Sequence, residues 1–167
     1  MPDCGETLVM NPGFDTTKMS WSPETGIVLT WDTAGDQNGN TASGGLLVKN
    51  GNVSNGNGWI LQGAYQCVPV TAGSTYQLTT QLSIAPDQGD VSAVVGLLTY
   101  ASGDCSGAPN GAAISDQVTT TATCEALTLS RAVPSGAVSV AVRLGVLKPF
   151  PQAPVQVEFD NVLFKKL

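Results

Sequence analysis

Alternation of apolar and polar residues is the feature that most constrains the fold of this chain. It recurs over four long stretches, at residues 75–85, 91–101, 137–147 and 155–164. Successive side chains of a β-strand point to opposite faces, so this period of two predicts strands. Shorter runs of similar character occupy residues 26–31, 45–50, 60–70 and 125–134. No segment has a convincing helical period.

Turn-forming residues separate the predicted strands. Clusters of Gly, Pro, Asn and Asp, among them PDQGD and SGDCSGAPNG, lie between the runs. Many short strands joined by tight turns predict an all-β fold, an antiparallel β-sandwich of the jelly-roll type. The chain has 167 residues and no linker-like stretch divides it, so residues 1–167 are expected to form a single domain.

Charge and composition exclude several functions. Seven basic residues face thirteen acidic ones, and the basic residues are scattered. This argues against nucleic acid and against an anionic membrane surface as partners. The apolar runs are also too short to span a bilayer. Histidine is absent, which removes the commonest general base and the usual Ser and Cys triads. We therefore expect a protein that is not an enzyme.

Parity along the strands identifies the side chains that face outward. In the stretch 75–85 one face is apolar and predicted to be core, whereas Gln77 and Gln81 lie on the other face. By the same rule Arg143 and Glu158 point outward from their strands. If these strands share a sheet, its outer face carries amides and a potential Arg–Glu pair, which suits a polyhydroxylated ligand. The alternative is an ordinary solvated face.

The four cysteines favour an extracellular setting. No pair has CxxC spacing, and only 12% of the residues are charged. An even number of cysteines in such a chain predicts two disulfides in a secreted protein, and their number alone leaves three pairings open. The alternative is free buried thiols in a cytosolic protein. The cysteines are Cys4, Cys67, Cys105 and Cys124.

Several motifs in a fixed order resemble a known family. They are NPGFD (11–15), SGGLLVKN (43–50), QCVPVTAGSTYQL (66–78), VPSGAVSVAVRL (133–144) and VEFDNVLF (157–164). This order resembles the galactose-binding-like jelly rolls grouped with carbohydrate-binding modules of families four, nine, sixteen and twenty-two. The resemblance spans nearly the whole chain and is more specific for fold than for ligand. It implies a non-catalytic module in a larger extracellular protein, binding oligo- or polysaccharide on a concave sheet face or loop rim.

The resemblance also implies a structural Ca²⁺ ion and one disulfide pairing. In such modules the acidic residues matching Asp15 and Asp160 commonly hold calcium, with backbone carbonyls completing the shell. Alternatively, Asp15 caps a turn and Asp160 accepts backbone N–H groups. The resemblance pairs Cys67 with Cys105, which leaves Cys4 with Cys124. Each bridge would contribute roughly 3 to 5 kcal/mol on the chain-entropy model.

Aromatic residues are the expected platforms for a sugar ring. Trp59 follows the loop NGNVSNGNG, whose Asn-Gly pairs favour chain reversals. Trp59 can lie at the rim of a binding site, where both its ring and its indole N–H can contact a ligand. Alternatively, it packs as a hydrophobic residue under the loop. Trp21, Trp31 and Tyr76 are expected to pack in the core. Tyr65 and Tyr100 are weaker candidates for ligand contact.

Three function classes follow from these observations. The leading one is a non-catalytic carbohydrate-binding module that uses a set of outward side chains. A structural or adhesion domain of the same fold is the alternative. A glycoside hydrolase or lyase is disfavoured, because hydrolysis requires two carboxylates about 5 to 10 Å apart and none are clustered. The proposed ligand contacts are Trp59, Gln77, Gln81, Arg143 and Glu158.

Overall fold

The computed structural model describes residues 7–37, 39–40, 42–54, 56–119 and 122–167, with side chains omitted for 122–124. Apart from one 3₁₀ turn at Thr33–Gly35, its regular elements are strands. In chain order the strands are β1 Ser22–Pro23, β2 Ile27–Asp32, β3 Gly45–Asn50, β4 Trp59–Pro69, β5 Thr75–Ile84, β6 Ser92–Tyr100, β7 Gly111–Ile114, β8 Ala122–Ala132, β9 Ser139–Pro149 and β10 Val155–Lys166. The eight predicted strands are confirmed with small shifts at their ends. β1 and β7 were not predicted, because they are too short to show alternation.

The strands form two antiparallel sheets of five. The front sheet has the order β1-β4-β9-β6-β7, and the back sheet has the order β2-β3-β10-β5-β8. The longest pairing in the front sheet runs from Trp59 opposite Pro149 to Pro69 opposite Ser139. This arrangement confirms the predicted all-β jelly-roll sandwich. No helix in the described ranges is long and apolar enough to cross a membrane.

The core lies between the sheets and contains the side chains that parity assigned to it. Tyr76 and its apolar neighbours on β5 are buried, as is the alternate row on β9 from Val140 to Val146. The Tyr76 ring stacks on Phe164 with centroids 5.3 Å apart, and its hydroxyl accepts the Thr71 N–H. Trp21 is buried against Phe14. The packing roles predicted for Trp21 and Tyr76 are therefore confirmed.

The predicted single polar face is wrong. β5 and β10 are neighbours in the back sheet, but β9 lies in the front sheet between β4 and β6. Arg143 therefore faces away from Gln77, Gln81 and Glu158, and its ion-pair partner is Glu24 rather than Glu158. Alternation shows which way a side chain points within its strand, but it carries no information about which sheet the strand joins.

The bridge between Cys67 and Cys105 is present, which confirms that pairing. It ties β4 to the loop that follows β6. The Ser139 hydroxyl lies 3.3 Å from Cys105 Sγ and donates to the Ser102 carbonyl in the same loop. Alternation along residues 137–147 predicts that Ser139 and Ala141 point outward and Val138 inward. Ser139 and Ala141 are instead buried, and Val138 is exposed just before β9 begins. Cys4 and the Cys124 side chain lie outside the described residues, so their pairing stays a prediction.

Candidate functional site

The outer face of the front sheet brings together side chains from its central strands. Tyr65 on β4 lies opposite Arg143 on β9, and Gly63 lies opposite Gly145. On the other side of β9, Gly96 of β6 lies opposite Arg143. Arg143 therefore lies in the middle of the face, with Tyr65 on one side and Gly96, which has no side chain, on the other.

The Arg143 guanidinium is fixed by the carboxylate of Glu24, just after β1. Its Nε and Nη2 donate to Glu24 Oε2 at 2.9 and 2.7 Å, and Nη2 also donates to the Leu61 carbonyl at 2.9 Å. The same Glu24 oxygen accepts the Gly63 N–H at 2.6 Å. Among the described residues, no hydrogen bond uses Arg143 Nη1 or Glu24 Oε1. The pair is thus held in place, while Arg143 Nη1 can still donate and Glu24 Oε1 can still accept a hydrogen bond.

A hollow of about 190 Å³ lies beside this ion pair. Tyr65 is half-buried at its edge, and Tyr100 is 9% exposed. Burial and the nearby Glu24 carboxylate raise the pKa of the Tyr100 phenol, so it stays protonated and can donate a hydrogen bond. Glu24 is the one carboxylate of the lining, whereas glycoside hydrolysis requires two. The lining consists of Glu24, Tyr65, Leu98, Tyr100, Cys105, Ala141 and Arg143.

Sequence reasoning did not single out Glu24, and it treated Tyr65 and Tyr100 as weaker candidates; the structure places all three in the lining of this hollow. Glu24 lies in the segment PETG, whose Pro and Gly indicate only a turn. Tyr65 shares its strand phase with Trp59 and Cys67, and this outward phase was the available signal. This signal does not distinguish the outward face, because apolar residues occur on both faces of β4 and β6.

The other predicted ligand residues lie elsewhere. Trp59 is 52% exposed at the start of β4, beside a second cavity. Gln77 Nε2 donates to Ser130 Oγ at 3.4 Å, and Gln81 Oε1 accepts Asn161 Nδ2 at 2.6 Å on the back sheet. The amides of both glutamines are therefore engaged within the protein.

Of the predicted calcium ligands, Asp160 lies close enough to Asp15 and Asp36 for their charges to affect its pKa. Asp160 is fully buried and accepts the Gln37 N–H at 3.0 Å and the Asn161 N–H at 2.7 Å. Burial raises the pKa of Asp160 to about 6, and the carboxylates of Asp36 and Asp15 contribute in the same direction. In the part of the chain that the structure describes, no three acidic or cysteine side chains form a metal-binding group.

Glu158 lies on β10, the central strand of the back sheet, and is half-buried. Its Oε1 is buried without a hydrogen-bond partner, and a Cβ at Gly35 would overlap the carboxylate. Burial, followed by the charges of Asp32 and Asp160, raises the pKa of Glu158 to about 7. The group therefore holds a proton over much of the range below neutral pH.

Comparison with known proteins rests on structure alone. No family model matches the chain, and no curated protein sequence matches it. A xylan-binding CBM22-1 domain from Paenibacillus barcinonensis superposes with a TM-score of 0.60 and 10% identity, covering 92% of this chain and 90% of that one. The module TmCBM61, solved with β-1,4-galactotriose, superposes with a TM-score of 0.59 and 14% identity. The match covers 97% of this chain and 99% of that one. This chain has the fold of a carbohydrate-binding module.

A third neighbour shares the fold over only part of its own, longer chain. It is the enzymatically active domain of tailspike protein 4 from bacteriophage CBA120, with a TM-score of 0.65 and 14% identity. The match covers 96% of this chain but only 21% of the tailspike chain. The resemblance inferred from the ordered motifs is confirmed at the level of fold.

The raised pKa of Glu158 predicts that the metal-free protein loses stability as the pH rises. Below about 4.5 both the folded and the unfolded chain hold this proton, and between about 4.5 and 7 the folded chain holds it preferentially. In chelator, the free energy of unfolding should fall by about 1–2 kcal/mol from pH 5 to pH 8, after allowing for solvent screening. Urea unfolding at both pH values measures this change.

The variant Glu158→Gln should be more stable than wild type at pH 8 and less dependent on pH. Asp160 titrates in the same direction, so part of the slope should remain. Glu125→Gln, at an exposed position on β8, is the charge-matched control and should behave as wild type. Stability that rises between pH 5 and 8, or an unchanged slope in Glu158→Gln, would contradict the assignment.

Proposed function

We propose that this domain is a non-catalytic carbohydrate-binding module whose ligand, an oligo- or polysaccharide, lies on the outer face of the front sheet. The observation that carries the proposal is the Arg143–Glu24 pair, fixed beside Tyr65 and Tyr100 in one hollow. Two neighbours of the same fold are described as binding xylan and as complexed with β-1,4-galactotriose, which supports a glycan as the ligand class.

The chemistry of the hollow suits vicinal hydroxyl groups. Arg143 Nη1 can donate to one hydroxyl oxygen while Glu24 Oε1 accepts from its neighbour, because the two groups are held side by side. The ring of Tyr65 offers an apolar surface for the C–H groups of a sugar. Both charged side chains are already fixed by protein contacts, so binding costs little side-chain entropy. A shallow hollow of this size predicts weak affinity, roughly −4 to −8 kcal/mol.

The proposed site revises the original set of ligand contacts. Arg143 remains at its centre, and Trp59 lies at the far end of the same strand face. Gln77, Gln81 and Glu158 belong to the back sheet and are not part of this proposed face. The setting we propose is a secreted, extracellular protein of which this domain is one part. The disulfide supports an oxidising, extracellular setting, and the match to only 21% of the tailspike chain supports a larger parent protein.

Removal of the Tyr65 ring tests the glycan site. Affinity electrophoresis or a glycan array containing xylan and β-1,4-galactan should show binding by wild type. Tyr65→Ala should weaken it about tenfold, the loss expected for one stacking aromatic. Gln77→Ala, on the outer face of the back sheet, is the matched control and should bind as wild type. A screen without binding would favour the structural or adhesion domain, and loss of binding only in Gln77→Ala would place the ligand on the back sheet.

We also propose that Asp15 and Asp160 hold a structural Ca²⁺ ion. The donor set fits, because calcium prefers hard oxygen ligands and two carboxylates lie near one another here. The Gly13 carbonyl and the Ser43 hydroxyl lie 3.4 Å apart beside Asp15 and can complete the shell. The ion would neutralise a buried carboxylate and join the N-terminal segment to β10.

Thermal melting with and without calcium tests the ion site. At a concentration about one hundred times its dissociation constant, calcium should add about 3 kcal/mol of stability relative to chelator. Asp15→Asn should lose this response, whereas Asp116→Asn, at an exposed position after β7, should keep it. An unchanged melting midpoint in wild type would contradict the proposal.

A further inference from the structure

A larger cavity of about 470 Å³ lies at one end of the sandwich, away from the front-sheet hollow. It is enclosed by Trp59, by the β5–β6 loop of residues 85–91 and by Thr119. None of its lining residues lines the hollow around Arg143. Trp59 and Tyr65 are six residues apart on one strand, so the two cavities are separated by about 20 Å. They are two different places on the molecule.

Trp59 is held at this cavity with about half of its surface exposed. Its backbone pairs with Pro149, and the Phe150 N–H donates to the Gly58 carbonyl at 3.0 Å. The loop before it is anchored by Lys148, a buried lysine whose Nζ donates to the Asn52 carbonyl at 2.6 Å. The indole is therefore carried on a backbone that is fixed at Gly58 and Trp59, and Lys148 also fixes the chain at Asn52.

The opposite wall is a loop fixed by two glutamines. Gln88 bonds both the N–H and the carbonyl of Gln156, at 2.7 and 2.9 Å. Gln152 does the same for Asp90, with both bonds at 2.8 Å. Gly89 is needed here, because a Cβ at that position would overlap the Gln152 amide. The loop thus has a defined shape before any ligand arrives.

This loop contributes two acidic residues to the lining of the cavity. Asp87 and Asp90 both line it, and neither side chain makes a hydrogen bond with any described residue. The remaining polar side chains of the lining are Gln88, whose amide is already bonded, and the hydroxyl-bearing Ser92 and Thr119. No basic side chain is among the lining residues. The cavity therefore offers hydrogen-bond acceptors and negative charge.

An indole face and two carboxylates favour the same kind of ligand. The negative face of an indole ring attracts a cation, and so do the carboxylates. An anionic ligand would be repelled by both, and by a chain whose net charge is −6. A neutral sugar would gain packing and hydrogen bonds but no charge interaction. A sugar with a free amino group combines a C–H face for the ring with an ammonium group for the carboxylates.

We propose that the cavity between Trp59 and the loop of residues 85–91 is a second binding site, selective for a cationic amino sugar. The sugar ring packs on Trp59, and its ammonium group lies between the ring and the carboxylates of Asp87 and Asp90. The proposal does not depend on glycan binding at Tyr65 and Arg143, since the two sites share no residues.

Isothermal titration calorimetry with two matched tetrasaccharides tests the site. The probes are the fully deacetylated and the fully acetylated tetramers of chitin, which have the same ring and linkage but differ in charge. At pH 5.5 and low salt, the deacetylated tetramer should bind wild type about tenfold more tightly than the acetylated one. Raising the salt concentration should narrow the difference, because exposed charges are screened.

Variants of the two walls separate the contributions of ring and charge. Trp59→Ala should bind the deacetylated tetramer about tenfold more weakly, and Trp59→Phe should recover part of the loss. Asp87→Asn with Asp90→Asn should reduce the preference for the deacetylated tetramer about tenfold, without abolishing binding of the acetylated one. Glu125→Gln with Asp116→Asn, two exposed positions that do not line the cavity, is the control for the loss of two charges and should match wild type.

Three results would overturn the proposal. They are absence of binding of the deacetylated tetramer to wild type, equal affinity for the two tetramers, and unchanged affinity in a Trp59→Ala protein that melts cooperatively. Because Trp59 is half exposed, the variant is expected to fold, and a melting curve checks this.

Discussion

The structure depends on burial of every second side chain of the long strands between two sheets. Each large aliphatic side chain removed from water contributes about 1.5–3 kcal/mol, and Leu78, Leu82, Val142 and Leu144 are among those with no exposed surface. Because of the same alternation, the other half of the side chains point away from the core and do not have to pack in it. Those residues form the outer faces, and their chemistry is free to differ between the two sheets.

The two outer faces do differ, and the difference lies in how charge is held. On the front sheet, Arg143 and Glu24 neutralise one another and are bonded to the backbone of β4. On β10, the central strand of the back sheet, Glu158 is half-buried and Asp160 is fully buried, both near other carboxylates. This environment raises the pKa of both groups. A paired site of the first kind can bind a neutral polar ligand, whereas a group of the second kind favours a proton or a cation.

Much of the fold could be predicted from sequence, because its determinants are local. Alternation identified the long strands and the core positions of β5, and the ordered motifs identified the bridge between Cys67 and Cys105. The candidate site could not be predicted in the same way. β9 joins the front sheet because it pairs with β4 and β6, which are distant from it in sequence. This pairing places Arg143 beside Glu24 rather than Glu158. Glu24 itself follows a strand of two residues, which leaves no periodic signal.

The central claim is that the front sheet, and not the back sheet, carries the glycan. Amide chemical-shift mapping by NMR during titration with xylo-oligosaccharides and β-1,4-galacto-oligosaccharides tests it most directly, since both outer faces are observed in one experiment. The account predicts that the largest shifts occur at Gly63, Tyr65, Gly96, Tyr100 and Arg143. Shifts confined to Gln77, Gln81 and Glu158, or no shifts with either series, would contradict it.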